Sequence, residues 1–133
     1  MIVEKAGPDD LAAIMNVFDG ADLEVGAETV GEHADRGTVL VARSEGGTVL
    51  AALVGRPRER DVRIEPIAVR PGRRGQGIGT ALIREAGARW GRLTASFERE
   101  LAPFYRQAGF DVECEDRCRG RREPGPSFAG GSR

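Results

Sequence analysis

The residues best suited to chemistry lie in one stretch, Ile64-Glu65-Pro66-Ile67-Ala68-Val69-Arg70-Pro71-Gly72-Arg73-Arg74-Gly75-Gln76-Gly77-Ile78-Gly79-Thr80. A strand-like run enters a loop holding four glycines, and a helical pattern follows at once. Glycines let successive backbone N–H groups converge on one anion with no Cβ in the way. A helix N-terminus adds unpaired donors and a favourable dipole. Arg73 and Arg74 add positive charge in a forked geometry that matches phosphate oxygens. Together these features make a pyrophosphate cradle. A Walker loop would need Lys-Ser/Thr after Gly77, where Ile78-Gly79 stands. A dinucleotide fingerprint would need Gly-x-Gly-x-x-Gly after the first strand of a parallel unit. Here Gly75-x-Gly77-x-Gly79 follows the fourth strand, so neither nucleotide motif fits.

Other reactive groups are few. Cys114 and Cys118 sit four residues apart in a polar segment, and His33 is the only histidine. That set falls short of the roughly four ligands of a zinc site, so no metal is expected. One cysteine pair, with no export signal ahead of it, disfavours a disulfide framework; the two are read as incidental thiols.

The elements around the loop follow from periodicity. Ile2–Ala6 is β-prone, and Asp9 or Asp10 can cap a helix carrying Leu11, Ile14, Met15 and Phe18 at three-four spacing. A second helix is expected over about Glu24–Asp35, with Glu24, Glu28 and Glu32 stacked along one face. That row is either a solvated face or the acidic wall of a cation site, and the solvated face is favoured. Thr38–Arg43 and Thr48–Gly55 flank Ser44-Glu45-Gly46-Gly47 and read as a hairpin. Asp61–Val69 alternates, with Val62, Ile64, Pro66 and Ala68 on one face; Pro66 leaves its amide side unpaired or forces a bulge. A helix runs from Gly79 towards Trp90, Leu93–Phe97 is a short strand, Glu100–Ala108 a short helix, and Phe110–Cys114 a last strand. The order β-α-α-β-β-β-α-β-α-β predicts a mixed α/β (α+β) domain with a mostly antiparallel sheet flanked by helices.

Composition agrees with one small globular domain. The chain has 133 residues, 40% hydrophobic and 31% charged. No apolar run is long enough to span a membrane. The beginning shows no secretory pattern, so the expected compartment is the cytoplasm. The net charge of −1 hides a basic block, Arg56–Arg92, with ten arginines against four acids, and an acidic first 55 residues. This suits a polyanion bound at one place rather than nucleic acid bound along the molecule.

Arg74-x-x-Gly77-x-Gly79 resembles the coenzyme A signature of the GNAT N-acetyltransferase superfamily. Pro103-Phe104-Tyr105-Arg106-Gln107-Ala108-Gly109-Phe110 looks like that family's second block, and the order of elements over residues 1–118 is similar. The resemblance implies acetyl-CoA as acyl donor and a single N-acetyltransferase domain over 1–118; from Arg119 the composition shifts to Arg, Gly, Pro and Ser, so 119–133 is expected to be a loosely held polar tail. Amides of Gly75, Gln76, Gly77, Ile78, Gly79 and Thr80 would hold the pyrophosphate, with Arg74 shaping the loop. Backbone groups of Ile67-Ala68-Val69 would pair with the pantetheine arm, and one amide, of Ile67 or Val69, would polarise the thioester carbonyl. Tyr105, the only tyrosine, would stabilise or protonate the leaving thiolate; a thiol titrates near about 8.5 and a phenol near about 10. Glu65 is the candidate base for the attacking amine.

Two features depart from the family pattern. Glu98 stands where members often have an asparagine touching the pantetheine arm, and Ser96 is the neighbour that could substitute. Arg119–Arg133 shows no apolar alternation for a seventh strand, which leaves the acceptor pocket open on that side or completed by a second subunit in a homodimer. The acceptor implied is a primary amine, either a small cation or a protein amine. The alternative is a CoA-binding regulatory module without turnover.

Overall fold

Valine, leucine and alanine runs in the first half demand cover on both faces of a sheet, and this computed structural model, which describes residues 1–125, supplies it. The elements are β1 (Ile2–Lys5), α1 (Leu11–Gly20), α2 (Ala27–Asp35), β2 (Val39–Arg43), β3 (Val49–Pro57), β4 (Val62–Val69), α3 (Ile78–Trp90), β5 (Leu93–Phe97), α4 (Ala102–Gln107), β6 (Asp111–Cys114) and β7 (Cys118–Arg122). The strands form one sheet in the order β1-β2-β3-β4-β5-β7-β6. Every pairing is antiparallel except β4 with β5. The mixed, mostly antiparallel architecture is the one expected.

Side chains of β2 show how the layers divide. Val39 and Val41 face a core with Ile14, Val17 and Phe18 of α1 and Val30 of α2. Leu40 and Ala42 face the other core, with Leu82 and Ile83 of α3 and Tyr105 of α4. All four are fully buried, so the strand reads as an unbroken apolar run.

β4 does not alternate uniformly. Ile67 pairs with Leu53 but Ile64 pairs with Gly55, so β4 carries one more residue than β3 across Glu65-Pro66. Such a bulge reverses the faces on either side of it. Val62 and Ile64 belong to the α3 core, whereas Ala68 belongs to the α1–α2 core and Ile67 and Val69 pack against the α3 side. The single face expected for Val62, Ile64, Pro66 and Ala68 is therefore split at the proline, whose missing N–H is the physical reason for the interruption.

Three other expectations are corrected. The second helix starts at Ala27, so Glu24 lies outside it and the three-glutamate row is not formed. Asp10 stands at the N-cap of α1 as expected, but its side chain makes no cap bond; its carboxylate accepts the Gly7 N–H at 2.6 Å and bidentate bonds from Arg43 on β2. The tail boundary is also wrong, because Arg119–Arg122 belong to β7, which runs between β5 and β6. Residues 126–133 of the expected tail lie outside the described residues.

The seventh strand that the sequence pattern did not show is therefore present as β7. β7 escapes a hydropathy reading because its inward positions are Cys118, Gly120 and Arg122. The apolar volume there comes from neighbours: a Cβ on Gly120 would stand 3.1 Å from Phe110 and 3.3 Å from Phe97. Arg122 turns inward and donates from Nε to the Ala108 carbonyl at 2.9 Å, one of the orphan acceptors at the end of α4. Cys114 and Cys118 are likewise not incidental. They form a disulfide across the β6–β7 turn, because antiparallel register sets them directly opposite each other.

Candidate active site

The glycine loop takes two left-handed residues, Gly75 at φ 78° and Gly77 at φ 82°, before α3 begins. A side chain at either would be strained, although neither position is crowded. Gly79 is required for a different reason: a Cβ there would lie 2.9 Å from the Phe104 ring, so the glycine lets α3 settle onto α4. Among the described residues no amide from Gly75 through Thr80 donates to a protein acceptor, and the first bond of α3 is Ala81 N–H to the Gly77 carbonyl at 3.0 Å. Six consecutive free donors at the head of a 13-residue helix match a phosphate group. Arg74 braces the loop by donating to the Val69 carbonyl at 3.2 Å. Arg70 ties its start to the Val49 carbonyl and to Asn16. The loop from Pro71 to Gly77 is otherwise exposed.

Beside the cradle the sheet opens. β4 and β5 pair only at Val62 with Leu93 and Arg63 with Thr94. From Ile64 to Val69 the edge of β4 facing β5 has no strand partner among the described residues, which places Ile67, Ala68 and Val69 along a free edge. Such an edge can accept an extended ligand as though it were another strand.

Tyr105 is buried in an aromatic box. Its ring stacks on Phe97 with centroids 3.9 Å apart and meets Phe104 and Phe110 edge-on at 5.0 and 5.2 Å. Burial, chiefly, and then the negative charge of Glu65 push its pKa up to about 12. Glu65 itself is half exposed on the outer side of β4, 3.3 Å from Arg63 and 4.0 Å from Arg56. Arg56 also donates to the Glu65 carbonyl at 3.1 Å. A smaller cavity of about 360 Å³ is lined by Glu65, Pro66, Arg56 and the α1–α2 connection at Glu24 and Val25. Glu98 pairs with Arg117 of the β6–β7 turn, so its carboxylate is engaged in holding that turn. Ser96 opens into a larger cavity on the outer face of β5 and β7.

Tyr105 and Glu65 are therefore brought close enough to interact electrostatically, and the cradle residues form one continuous loop. Arg63, Arg119 and Arg121, which converge on the larger cavity, had no sequence signal beyond being arginine; only strand register assembles them.

The model of the acetyltransferase (GNAT) domain matches residues 35–112, more than half of the chain. The chain belongs to the GNAT acetyltransferase family. No curated protein matches it by sequence. Solved structures share its fold at low identity. The PaiA N-acetyltransferase of Thermoplasma acidophilum, in complex with coenzyme A, superposes with a TM-score of 0.77 at 15% identity over 92% of this chain and 98% of that one. Rv2747 of Mycobacterium tuberculosis, also a coenzyme A complex, gives 0.79 at 18% identity over 92% and 99%. The ribosomal-protein-S18-alanine N-acetyltransferase of Escherichia coli gives 0.76 at 17% identity over 98% of each chain. As a member of this family the chain is an acetyltransferase that uses acetyl-CoA. No helix among the described residues is long and apolar enough to cross a membrane.

Proposed function

We propose that the chain transfers an acetyl group from acetyl-CoA directly to a primary amine of a small molecule or peptide. The observation that carries this reading is the run of six unpartnered amides, Gly75–Thr80, at the head of α3 beside the parted strands β4 and β5. When bound, acetyl-CoA supplies the thioester carbonyl that is attacked and the thiolate that leaves. Amides of Gly75, Gln76, Gly77, Ile78, Gly79 and Thr80 hold the pyrophosphate, and Arg74 fixes the loop that presents them. Ile67, Ala68 and Val69 align the pantetheine arm along the free edge of β4, with an amide of Ile67 or Val69 polarising the carbonyl.

Tyr105 assists the leaving group. With its pKa at about 12, well above the ordinary thiol value of about 8.5, full transfer of its proton to a thiolate is uphill, so the phenol acts by donating a hydrogen bond. Glu65 takes the proton from the incoming ammonium, directly or through water. Cys114 and Cys118 lie at the β6–β7 turn, on neither the glycine loop nor the free edge of β4, in keeping with direct attack. The reading includes a cytoplasmic location, where thiol reductants would act on the Cys114–Cys118 bond.

Release of free thiol from acetyl-CoA, followed with a panel of polyamines, amino acids, aminoglycosides and peptides, tests the reading. Turnover with any of them supports it. Coenzyme A binding without turnover on all of them favours a regulatory module, and absence of binding removes the donor assignment.

A further inference from the structure

The two halves of the sheet are covered differently. α1 and α2 lie over β2, β3 and β4 on one face, but the same face of β5, β7 and β6 carries no helix among the described residues. On this open face register lines up two rows. Arg63 of β4, Thr94 of β5, Arg121 of β7 and Asp111 of β6 form the first. Ser96, Arg119 and Glu113 form the second. The rows border a cavity of about 810 Å³.

The arginines of that cavity lack internal partners of their own quality. Arg63 Nε is covered from solvent and makes no hydrogen bond among the described residues, although the Glu65 carboxylate stands 3.3 Å away. Arg119 has no acid within ion-pair distance among the described residues, even though Glu113 is its cross-strand neighbour. Arg121 pairs with Glu123 in an exposed contact that is easily exchanged. Arg58, by contrast, is matched by Asp61, which also takes the Thr94 hydroxyl. That leaves Arg63, Arg119 and Arg121, with Arg106 of α4 and the Ser96 hydroxyl, facing one cavity. Asp111 and Glu113 bound it on the β6 side.

A second phosphate contact for the donor is excluded by distance. Arg63 stands six residues up β4 from Val69, roughly 20 Å at the usual rise, and the cradle lies beyond Val69. Arg63 is instead two residues from Glu65, at the point where β4 and β5 part. Strands two apart put Arg63 and Arg121 about 10 Å from each other, a span that long guanidinium side chains close around a carboxylate.

Resting on the acetyltransferase reading above, we infer that the acceptor is an amine that also carries a carboxylate, such as a small amino acid. Arg63, Arg119, Arg121 and Ser96 hold the carboxylate, which leaves the ammonium beside Glu65. A polyamine would place cations against three guanidiniums and is disfavoured.

The test compares L-glutamate, L-aspartate and glycine with the matching carboxamides and with putrescine, in wild type and in R119Q/R121Q, with thermal unfolding as the folding control. Thiol release should favour the free acids, and KM for the acid should rise at least about tenfold in R119Q/R121Q, the loss of one charge-assisted bond. Affinity for coenzyme A, read by calorimetry, should not change. Equal or better turnover of carboxamides or putrescine overturns the inference, as does an unchanged acid KM in the variant. Where no acceptor turns over, calorimetry with the same acids in the coenzyme A complex decides: arginine-dependent binding supports the inference, and no binding overturns it while the donor site stands. Failure to bind coenzyme A removes the acetyltransferase reading instead, and acid binding to the protein alone then reads on the arginine face separately.

Discussion

The two ends of the site are built from different material. The proposed donor end, Gly75–Thr80, offers its ligand a run of unpartnered backbone amides from adjacent residues. The acceptor end draws Arg63, Arg119, Arg121 and Ser96 from three strands, and each contributes a side chain. A backbone cradle is set by conformation, so exchanging its residues destroys it or leaves it unaltered. A side-chain surface can be changed one residue at a time while the sheet beneath stays intact. The difference predicts a fixed donor and an adjustable acceptor within one fold.

That contrast can be broken most severely at Gly77. Gly77→Val puts a β-branched residue at φ 82°, and coenzyme A affinity measured by calorimetry should fall by about a hundredfold or more. Tyr105→Phe should leave coenzyme A binding in place and lower kcat by about a hundredfold, the usual scale of a lost acid or hydrogen-bond donor. Because the phenol titrates at about 12, kcat in wild type should show no loss assignable to Tyr105 up to about pH 10. Glu65→Gln should lower kcat/KM most at low pH; an unchanged pH profile removes Glu65 from proton transfer.

Smaller effects separate scaffold from site. Arg122→Leu strips the Ala108 carbonyl of its donor and should cost about 1–3 kcal/mol in denaturant unfolding. The smallest effect is expected at Asp10, whose pKa is held below 3.8 mainly by hydrogen bonds from Arg43. A carboxylate depressed by folding stabilises above its unfolded pKa and stops doing so as pH falls through the folded value. Asp10→Asn should therefore melt below wild type at neutral pH, and the gap should close below about pH 3.8.

What was readable in advance divides along the same line. Ile14 and Phe18, Val39–Ala42 and the glycine loop announced themselves because helix period, buried strands and left-handed turns leave marks within a few residues. Pro66 announced an interruption in β4, though not that the faces would reverse across it. β7 gave no such mark. Its inward residues are a glycine, a cysteine and an arginine, and their space is filled by Phe97 and Phe110 from elsewhere. Calling 119–133 a tail followed from reading the apolar content of the strand rather than of its neighbours.

By itself the sequence determined the α/β class of the fold, the glycine loop ahead of α3 and the family, since each leaves its mark in residues close along the chain. Tertiary structure alone decided the pairing of Cys114 with Cys118, the place of β7 and the convergence of three arginines on one face. Those depend on strand register, which links residues up to about sixty positions apart and is set by how side chains pack across the whole sheet.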